Sequence, residues 1–452
     1  MVDRLCPIHQ HARETPDKIA IESPDCTLTY RQLDAAISNH CSKLKTLSIQ
    51  PGTHIAFVAK TSAASVLLLF ALFRLKAIAC PLSFRTPPEQ LPSLVQQCSA
   101  SHLLNAEDLP IETTSFPCAP PTYALEQLAA MLMTSGSSGK PKAACHTIGA
   151  HFANAEGAIA PLRCTSESRW LLSLPLFHVG GMAILFRIFL AGGTIVLTDK
   201  LLFSALEQQR ITHASFVPTQ LFRFLQEPQE MIGKIAESAT CLLIGGAPLS
   251  PSLAQKAFAH RLPLFTAYGM TEMSSMITLA EPHEIDKRLH MGKQLPFRSL
   301  RIDENGEILV RGQTLFSGYW DPVQQKPILP TLNGWLPTKD LGSLDDQGQL
   351  TLHGRKDRMF ISGGENIQPE EVEAALCQIP GILAAHVIPT DDLEFGKRPI
   401  AYLLEDVPEH TLESVRAALK GTLPSFKHPV KIFPYTHEMK NGLKVVQQKQ
   451  PF

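Results

Sequence analysis

The residues best suited to chemistry stand in one short stretch that reads T-S-G-S-S-G-K-P-K from Thr134 to Lys142. Glycines let a backbone turn so that its N–H groups point at one spot, while hydroxyls add short donors and lysines add positive charge. This combination suits a polyphosphate ligand. The candidate phosphate-binding residues are Thr134, Ser135, Gly136, Ser137, Ser138, Gly139, Lys140 and Lys142.

The neighbouring residues indicate how this loop is positioned. Residues 129–133 are apolar and predict a buried strand, so the loop would leave the end of a sheet, where α/β proteins bind ligands. The loop differs from the P-loop of kinases and GTPases, because Thr134 stands where that motif has its first glycine and Pro141 follows Lys140. A flexible glycine- and serine-rich linker is the remaining alternative, which this segment alone leaves open.

Length and composition predict a globular protein with more than one core. The chain has 452 residues, of which 44% are hydrophobic and 18% charged, so two or three domains are expected. A net charge of −1 gives no general attraction to nucleic acid or to an anionic membrane. These properties leave assembly into a homo-oligomer open.

Apolar runs and cysteines indicate the cellular compartment. The first residues have no signal-peptide pattern, and the apolar run from Val66 to Phe73 is too short to span a membrane. The ten cysteines form no C-x-x-C pair, which argues against a zinc site and a disulfide framework. We therefore expect a cytoplasmic protein without a membrane span.

Three textures along the chain predict an α/β fold. From about Arg169, short apolar runs alternate with helical stretches, which predicts parallel sheets sandwiched by helices. After about Ser274, strand-like runs separated by Asn-Gly and Gln-Gly turns predict a small antiparallel β unit. Past Gly354, a proline-led helix and further strands predict a small α+β domain. We expect a large N-terminal domain, 1–355, and a small, mobile C-terminal domain, 356–452.

Two further segments of chemical interest follow predicted strands. The segment from Tyr268 to Glu272 (Y-G-M-T-E) ends in a carboxylate that could join phosphate oxygens around Mg²⁺, although it also fits an ordinary turn. The segment from Gly245 to Pro248 (G-G-A-P) has the small residues that let a planar ring approach the backbone. A tight turn between strand and helix explains the second segment equally well.

Two more segments place charged groups near loops. A carboxylate follows an aromatic residue between Trp335 and Asp340, and such an acid holds ribose hydroxyls in other nucleotide folds. A solvated aspartate is the commoner case. Lysines between Lys440 and Lys444 could neutralise charge during attack on a phosphate, although a basic tail is usually a solvated face.

Taken in chain order, these segments resemble the adenylate-forming superfamily of acyl-CoA ligases, luciferases and peptide-synthetase adenylation domains. The resemblance covers essentially the whole chain and rests on five motifs in the family's order. Within the superfamily, the chain is most similar to the o-succinylbenzoate–CoA ligase branch of menaquinone biosynthesis. The stretches that carry this closer resemblance are Pro141–Ala144, Thr212–Ser215, Val217–Gln220, Ser362–Pro369 and Glu394–Gly396.

The resemblance implies an enzyme that uses ATP, Mg²⁺ and coenzyme A. The carboxylate of an aromatic acid would attack the α-phosphate of ATP, which gives an acyl-adenylate and pyrophosphate. The C-terminal domain would then rotate, and the CoA thiolate would attack the acyl carbon and release AMP. The expected partners are these small molecules, with no nucleic acid.

The resemblance also implies roles for individual residues. The loop from Thr134 to Lys142 would cover the β- and γ-phosphates, with Glu272 on magnesium and Thr271 near the α-phosphate. Asp340 and Arg355 would hold the ribose hydroxyls. The residues expected around adenine are Gly245, Gly246, Ala247, Pro248, Tyr268 and Gly269.

Other implied roles concern domain rotation and the second step. Asp357 would be the hinge, and Lys444 would enter the site for adenylation only. Gly363 and Gly364 would line the CoA tunnel. His178 matches the aromatic or histidine gate beside the acyl pocket.

Three positions depart from the superfamily's pattern. Ala143 replaces the glycine that usually follows the loop, as is normal for the o-succinylbenzoate branch. Lys339 replaces the glycine that usually precedes Asp340. Lys444 stands one residue later than the usual lysine, so Lys440 remains a second candidate for the adenylation lysine. No departure removes a reactive group, and we expect an active enzyme.

Alternative substrates stay open at this point. An adenylation domain for amino acids would need an acid near Pro175–Gly181, which offers His178 and no carboxylate. Another aryl- or fatty-acyl-CoA ligase is a closer alternative, but o-succinylbenzoate has a second carboxylate that needs donors. The candidate donors are Arg187, Thr219, Gln220 and Arg223. Both arginines also fit helix-surface positions. A non-catalytic relative would lack Lys444 or Glu272, and both are present.

Overall fold

Twelve α-helices and 27 β-strands form within the part of the chain that the computed structural model describes, which is residues 3–114, 120–135, 141–199, 202–246, 249, 251–282, 290–405 and 410–435. In chain order the helices are α1 Pro7–Glu14, α2 Tyr30–Thr46, α3 Ala63–Arg74, α4 Leu91–Gln97, α5 Ile148–Ile159, α6 Val179–Ala191, α7 Leu202–Gln208, α8 Pro218–Phe224, α9 Gln229–Ser238, α10 Pro251–Ala259, α11 Pro369–Leu376 and α12 Leu412–Leu419. The strands are β1 Asp3–Leu5, β2 Ile19–Glu22, β3 Thr27–Thr29, β4 His54–Ala59, β5 Ile78–Ser83, β6 His102–Leu104, β7 Thr122–Ala124, β8 Leu128–Ser135, β9 Pro141–Thr147, β10 Arg169–Leu171, β11 Thr194–Val196, β12 His213–Phe216, β13 Cys241–Ile244, β14 Leu264–Met270, β15 Ser275–Ala280, β16 Lys293–Gln294, β17 Arg298–Ile302, β18 Glu307–Gly312, β19 Gly318–Asp321, β20 Lys326–Ile328, β21 Leu336–Leu344, β22 Leu350–Arg355, β23 Phe360–Ser362, β24 Glu365–Ile367, β25 Ile382–Asp392, β26 Gly396–Glu405 and β27 Lys431–Pro434.

The largest sheet has nine strands in the order β16-β15-β14-β13-β12-β10-β11-β2-β3. Its centre is parallel, as the alternation of strands and helices predicts, because each helix returns the chain to the same end of the sheet. Antiparallel strands β15, β16 and β3 extend its edges. The carboxyl ends of β12, β13 and β14 therefore meet at one edge.

A second sheet has seven strands in the order β20-β19-β9-β8-β5-β4-β6. Strands β4, β5, β6 and β8 are parallel, and β9, β19 and β20 continue the sheet antiparallel. The predicted strand at 129–133 is the middle of β8. The predicted phosphate loop joins β8 to β9, and so short a connection permits only antiparallel pairing of its two strands.

Helices without a polar face belong to the core that the two large sheets share. The apolar run from Val66 to Phe73 lies in α3, where every residue from 63 to 73 is buried. One hydrophobic core joins α3, α5 and α6 to Phe57 of β4 in one sheet and Trp170 of β10 in the other. A helix that is apolar all round is stable only in such an interior position.

The helix after the loop starts at a side-chain cap. Thr147 ends β9, and its hydroxyl accepts the N–H of Ala150 at 3.0 Å, which satisfies a backbone donor that the first turn of α5 leaves free. The cap lets α5 begin directly after β9. Residues of α5 consequently lie close to the strand that continues the loop.

The small antiparallel β unit is confirmed as a sheet of four strands in the order β17-β18-β21-β22. Gly306 and Gly348 have φ angles of 79° and 76° at two of the predicted turns, a conformation that suits glycine. The core of this unit includes Ala144 of β9 and Tyr268 of β14. Strands of three sheets therefore meet beside the end of β14.

The residues after Phe360 pack around a core of their own, formed by residues 360–419. It contains the hairpin β23-β24, the sheet β25-β26-β27 and helices α11 and α12. Pro369 is the first residue of α11, with Glu370 and Glu371 in its first turn, as predicted. Both features favour a helix start, since proline needs no hydrogen-bonded N–H there and acids complement the helix dipole.

Two negative findings concern the described ranges only. None of their helices combines the length and the apolar composition that crossing a membrane requires. None of the nine cysteines in these ranges forms a disulfide bond, and seven of them are buried.

Candidate active site

The structure describes both ends of the predicted phosphate loop. Thr134 pairs with Lys142 and Ser135 with Pro141 across β8 and β9, and the hydroxyl of Thr134 donates to the carbonyl of Lys142 at 3.3 Å. The predicted residues that lie outside the described residues are Gly136, Ser137, Ser138, Gly139 and Lys140, together with the side chain of Ser135. The pairing of β8 with β9 thus places Lys142 at the end of the seven-stranded sheet.

The turn that carries Thr271 and Glu272 is held by hydrogen bonds to its backbone. It is a 3-10 turn, Thr271–Met273, between β14 and β15. The ring of His146 donates from Nε2 to the carbonyl of Thr271 at 2.7 Å, and the N–H of Phe316 donates to the carbonyl of Glu272 at 2.8 Å. Burial lowers the pKa of His146, so the ring is neutral and its proton stays on Nε2.

Asn154 of α5 holds the second half of the same turn. Its amide nitrogen donates to the carbonyls of Met273 and Met276, both at 3.1 Å. The chain reverses here through Ser274, which has a left-handed φ of 56°. Because buried carbonyls without partners cost free energy, these bonds stabilise a bend whose left-handed conformation is unfavourable for serine.

Gly269 acts through the backbone. A β-bulge shifts the β14–β15 register between Tyr268 and Gly269. A Cβ on Gly269 would lie 2.2 Å from the carbonyl oxygen of Ser275. The two strands therefore approach so closely that only glycine fits between Tyr268 and the bend that carries Glu272.

Three predicted nucleotide residues meet in one hydrogen-bonded group. Asp340 accepts the hydroxyl of Tyr268 at 2.7 Å and the guanidinium of Arg355 at 2.9 Å. Burial raises the pKa of Asp340, while the bonds from Tyr268 and Arg355 oppose that shift. Arg355 also holds Asp357, the predicted hinge, through two bonds of 2.9 and 3.0 Å.

The departure at Lys339 has a conformational explanation. Lys339 has a φ of 64°, in the left-handed region where glycine is favoured. Its N–H donates to the carboxylate of Glu307 at 2.9 Å, and its carbonyl accepts from the N–H of Lys356 at 2.7 Å. These bonds hold a lysine in the conformation that glycine adopts freely, so Asp340 keeps its position.

The predicted adenine-binding segment follows β13 at the edge where β12 and β14 also end. A Cβ on Gly245 would meet no atom closer than 3.6 Å, and Gly246 has a φ of 80°. A Cβ on Gly245 would therefore make only an ordinary van der Waals contact, with the carbonyl oxygen of Ala267. The role of this segment toward adenine stays a prediction. Ala247 and Pro248 lie outside the described residues.

Glu272 has the surroundings that a magnesium ligand needs. Its carboxylate is half-buried and accepts a hydrogen bond from the hydroxyl of Tyr319. Lys142 contacts the same tyrosine, with its ammonium 5.0 Å from the ring centre. The described residues contain no cluster of three or more metal-binding side chains. A single carboxylate fits magnesium, which completes its octahedral shell with phosphate oxygens and water.

Comparison with known proteins identifies the family. The family model described as AMP-binding enzyme matches residues 8–320. The chain belongs to this family. It is 33% identical to Escherichia coli 2-succinylbenzoate–CoA ligase over 449 residues, which cover 96% of this chain and 94% of that protein. It is 30% identical to the Bacillus subtilis protein of the same name, over 94% of this chain and 92% of that protein.

Solved structures of AMP-binding enzymes have the same fold. A variant of E. coli MenE with bound OSB-AMS superposes with a TM-score of 0.86 at 30% identity and covers 100% of both chains. B. subtilis o-succinylbenzoate CoA synthetase in complex with the acyl-adenylate OSB-AMP gives a TM-score of 0.86 at 28% identity, over 100% of this chain and 99% of that chain. The same enzyme in complex with ATP and magnesium gives 0.84 at 29% identity, over 96% of both chains.

His178, the residue that matches the family's gate, stands directly before α6. Its side chain is exposed and lies 4.5 Å from the ring of Phe177. Phe84 packs 5.7 Å from Phe177, and Arg85 lies over Phe84. The rings of Phe84, Phe177 and His178 thus form an aromatic cluster between the end of β5 and the start of α6. The guanidinium of Arg85 lies against it.

Gly363 and Gly364 form the tip of the β23–β24 hairpin. Their φ angles of 57° and 88° are those of a type I′ turn, which requires two left-handed residues. A Cβ on Gly363 would lie 2.8 Å from the ring of Phe395. The role toward CoA stays a prediction, as do those of Lys444 and Lys440, which lie outside the described residues.

The candidate donors for a second substrate carboxylate differ sharply in position. Arg187 is 1% exposed, so it is not a helix-surface charge, whereas Arg223 is exposed on α8. The side-chain oxygen of Gln220 accepts the N–H of Val217 at 2.9 Å, which leaves its amide nitrogen as donor. The side chain of Thr219 lies outside the described residues.

Sequence reasoning missed the side chains that support the site. They are His146, Asn154, Arg298 and Tyr319. No spacing signal connects Tyr319 to Glu272, which is 47 residues earlier, and the strand pairing that joins them is not encoded locally. The histidine and asparagine lie just after the phosphate loop, but nothing in the sequence says that they face the turn after β14.

Replacing Gly269 by Ala should lower the free energy of unfolding by about 3 kcal/mol, because the new methyl group overlaps the backbone of β15. Gly245→Ala is the matched control, and its stability should change by no more than about 0.5 kcal/mol. Urea denaturation followed by circular dichroism measures both. Equal stabilities for the two variants would contradict the role assigned to Gly269.

Proposed function

We propose that this protein is an AMP-forming acid–CoA ligase that converts o-succinylbenzoate, ATP and CoA into o-succinylbenzoyl-CoA, AMP and pyrophosphate. The names of its relatives support the reaction class and the substrate. The observation that carries the choice of a dicarboxylic acid is the buried position of Arg187.

Arg187 lies inside the protein without a counter-charge. No ion pair in the described part of the chain includes it, and burial lowers its pKa to about 10. Its guanidinium donates to Asn154 Oδ1 and to the hydroxyl of Ser275, both at 3.3 Å, and its Nε has no partner. A buried charge is costly until it is paired. A substrate carboxylate next to the bend from Thr271 to Met276 would supply the missing partner.

A second buried arginine strengthens the demand for an anion. Arg298 donates to the carbonyls of Met276 and Asn154 and is 3% exposed. Burial and the nearby charge of Arg187 lower its pKa to about 9. Two guanidiniums at one buried position favour a dicarboxylic acid over a fatty acid, whose chain would bring no charge to them.

The reaction proceeds in two balanced steps. A substrate carboxylate oxygen attacks the α-phosphorus, and the bond from that phosphorus to the pyrophosphate oxygen breaks. The CoA thiolate then attacks the acyl carbon, and the bond to the AMP oxygen breaks. Glu272 would hold magnesium, which offsets negative charge on the phosphates, while Asp340, Arg355 and Tyr268 would hold the nucleoside.

The other predictions are part of the same proposal. A division near residue 355 is supported by the separate core of residues 360–419. A cytoplasmic location is supported by the free cysteines of the described ranges. The alternative of an amino-acid adenylation domain lacks support, because Pro175–Gly181 offers no carboxylate to pair with an ammonium group.

The protein should release pyrophosphate from ATP and magnesium in the presence of o-succinylbenzoate, and should form the corresponding thioester when CoA is added. A coupled pyrophosphate assay and the product's mass measure the two steps. Benzoate and medium-chain fatty acids are the comparison substrates. Faster turnover of either comparison substrate would exclude the proposed substrate.

Replacing Arg187 by Gln should raise the KM for o-succinylbenzoate about tenfold to hundredfold, because a charge-assisted bond to the second carboxylate is lost. Steady-state kinetics should show the residual turnover of benzoate unchanged, since benzoate has no second carboxylate. Arg223→Gln removes an exposed charge and serves as control. An effect at Arg223 and none at Arg187 would assign the carboxylate to the other arginine.

Lys444→Ala should slow adenylation at least about a hundredfold, because a charge that stabilises the transition state is removed. Thioester formation from preformed acyl-adenylate should stay at the wild-type rate. Single-turnover assays of each half-reaction separate these effects. Lys440→Ala is the matched control, and the same pattern in that variant would move the role to Lys440.

A further inference from the structure

Tyr319 lies beside the strand that leaves the phosphate loop. It belongs to β19, which pairs with β9 so that Gly318 stands opposite Cys145 and Tyr319 opposite Ala144. Gly318 has a φ of 125°, and a Cβ there would lie 2.5 Å from the carbonyl oxygen of Ile328. This tight backbone packing sets the direction in which Tyr319 leaves the sheet.

The Tyr319 side chain contacts both opposite charges of the predicted phosphate site. Its hydroxyl donates to the carboxylate of Glu272. Its ring supports the ammonium of Lys142, which lies 5.0 Å from the ring centre. The edge-on ring of Phe316, 5.0 Å away at 76°, holds the tyrosine in place, and the same Phe316 donates its N–H to the carbonyl of Glu272.

Through these contacts, Glu272 and Lys142 both lie against Tyr319 without forming an ion pair with each other. Within the described residues, no ion pair joins Lys142 to Glu272. A direct pair would occupy carboxylate lone pairs that a metal ion needs and would hold the lysine away from phosphate oxygens. A tyrosine hydroxyl takes only one lone pair of the carboxylate, and a ring face holds a cation weakly enough to release it.

We propose that Tyr319 is a positioning residue for adenylation, whose hydroxyl orients Glu272 toward magnesium and whose ring keeps Lys142 from neutralising that carboxylate. This inference rests on the proposed function, because it assigns Tyr319 to the ATP-dependent half-reaction. It gives the tyrosine no contact with the acid substrate or with CoA.

The first test measures binding of magnesium with a non-hydrolysable ATP analogue by isothermal titration calorimetry. Tyr319→Phe keeps the ring and should weaken binding about tenfold to hundredfold, which is the effect of losing one hydrogen bond to a charged group. In EDTA, the variant and the wild type should bind the analogue equally. Tyr319→Leu removes the ring as well and should weaken binding further.

Two comparisons separate positioning from a general structural effect. Tyr402 stacks on Phe433 in the last sheet, so Tyr402→Phe removes a hydroxyl elsewhere and should bind like the wild type. In the background of Glu272→Gln, Tyr319→Phe should cost little additional affinity, because both changes remove the same interaction. Full additivity in this cycle would overturn the proposal.

The half-reactions give an independent test. Tyr319→Phe should slow pyrophosphate release and leave thioester formation from preformed acyl-adenylate unchanged. Equal loss in both steps, or weaker analogue binding in EDTA, would indicate a merely structural role. The calorimetric test contains no acid, so a wrong substrate assignment would leave it intact. A wild-type protein that fails to bind magnesium with the analogue would overturn the proposed function and this inference together.

Discussion

The bend from Thr271 to Met276 depends on hydrogen bonds to carbonyl groups that the core takes away from water. His146 and Asn154 satisfy three of these carbonyls, at Thr271, Met273 and Met276. Both side chains come from the elements that directly follow the predicted phosphate loop. The strand that leaves the loop and the turn that carries Glu272 are therefore connected through buried polar contacts, which hold their geometry more tightly than surface contacts would. A displacement of β9 would leave buried carbonyls unpaired, so the two halves of the site hold their spacing.

The candidate site contains buried groups whose charged forms are disfavoured by burial. Arg187 and Arg298 are buried without carboxylates, and burial raises the pKa of Asp340. Such groups reduce stability in the ligand-free protein. Under the proposed function, a dicarboxylic acid would bring negative charge to the arginines, and ribose hydroxyls would bring donors to the aspartate.

Backbone conformation explains why particular residue types stand at two positions of the family's motifs. Gly269 is required by the close approach of β14 and β15 at a bulge. Its place in the motif therefore reflects the packing of the two strands next to Tyr268. Lys339 occupies a left-handed position where glycine is usual, and Glu307 and Lys356 hold it there. Asp340 keeps its contacts with Tyr268 and Arg355 despite the substitution. At such positions, backbone conformation and close packing select the residue type directly, and the ligand does so only indirectly.

Local sequence determined the elements and the reactive groups, because periodicity, turn residues and caps act over a few positions. The strands from β10 to β14 alternate with helices, as the apolar runs from about Arg169 predict. The motifs around Thr134, Tyr268 and Asp340 were recognisable for the same reason. Only the tertiary structure decided that Tyr319 meets Glu272, that His146 and Asn154 hold the bend, and that Arg187 is inside. These contacts join residues that are tens of positions or more apart, and strand order, which arises from packing of the whole core, brings them together.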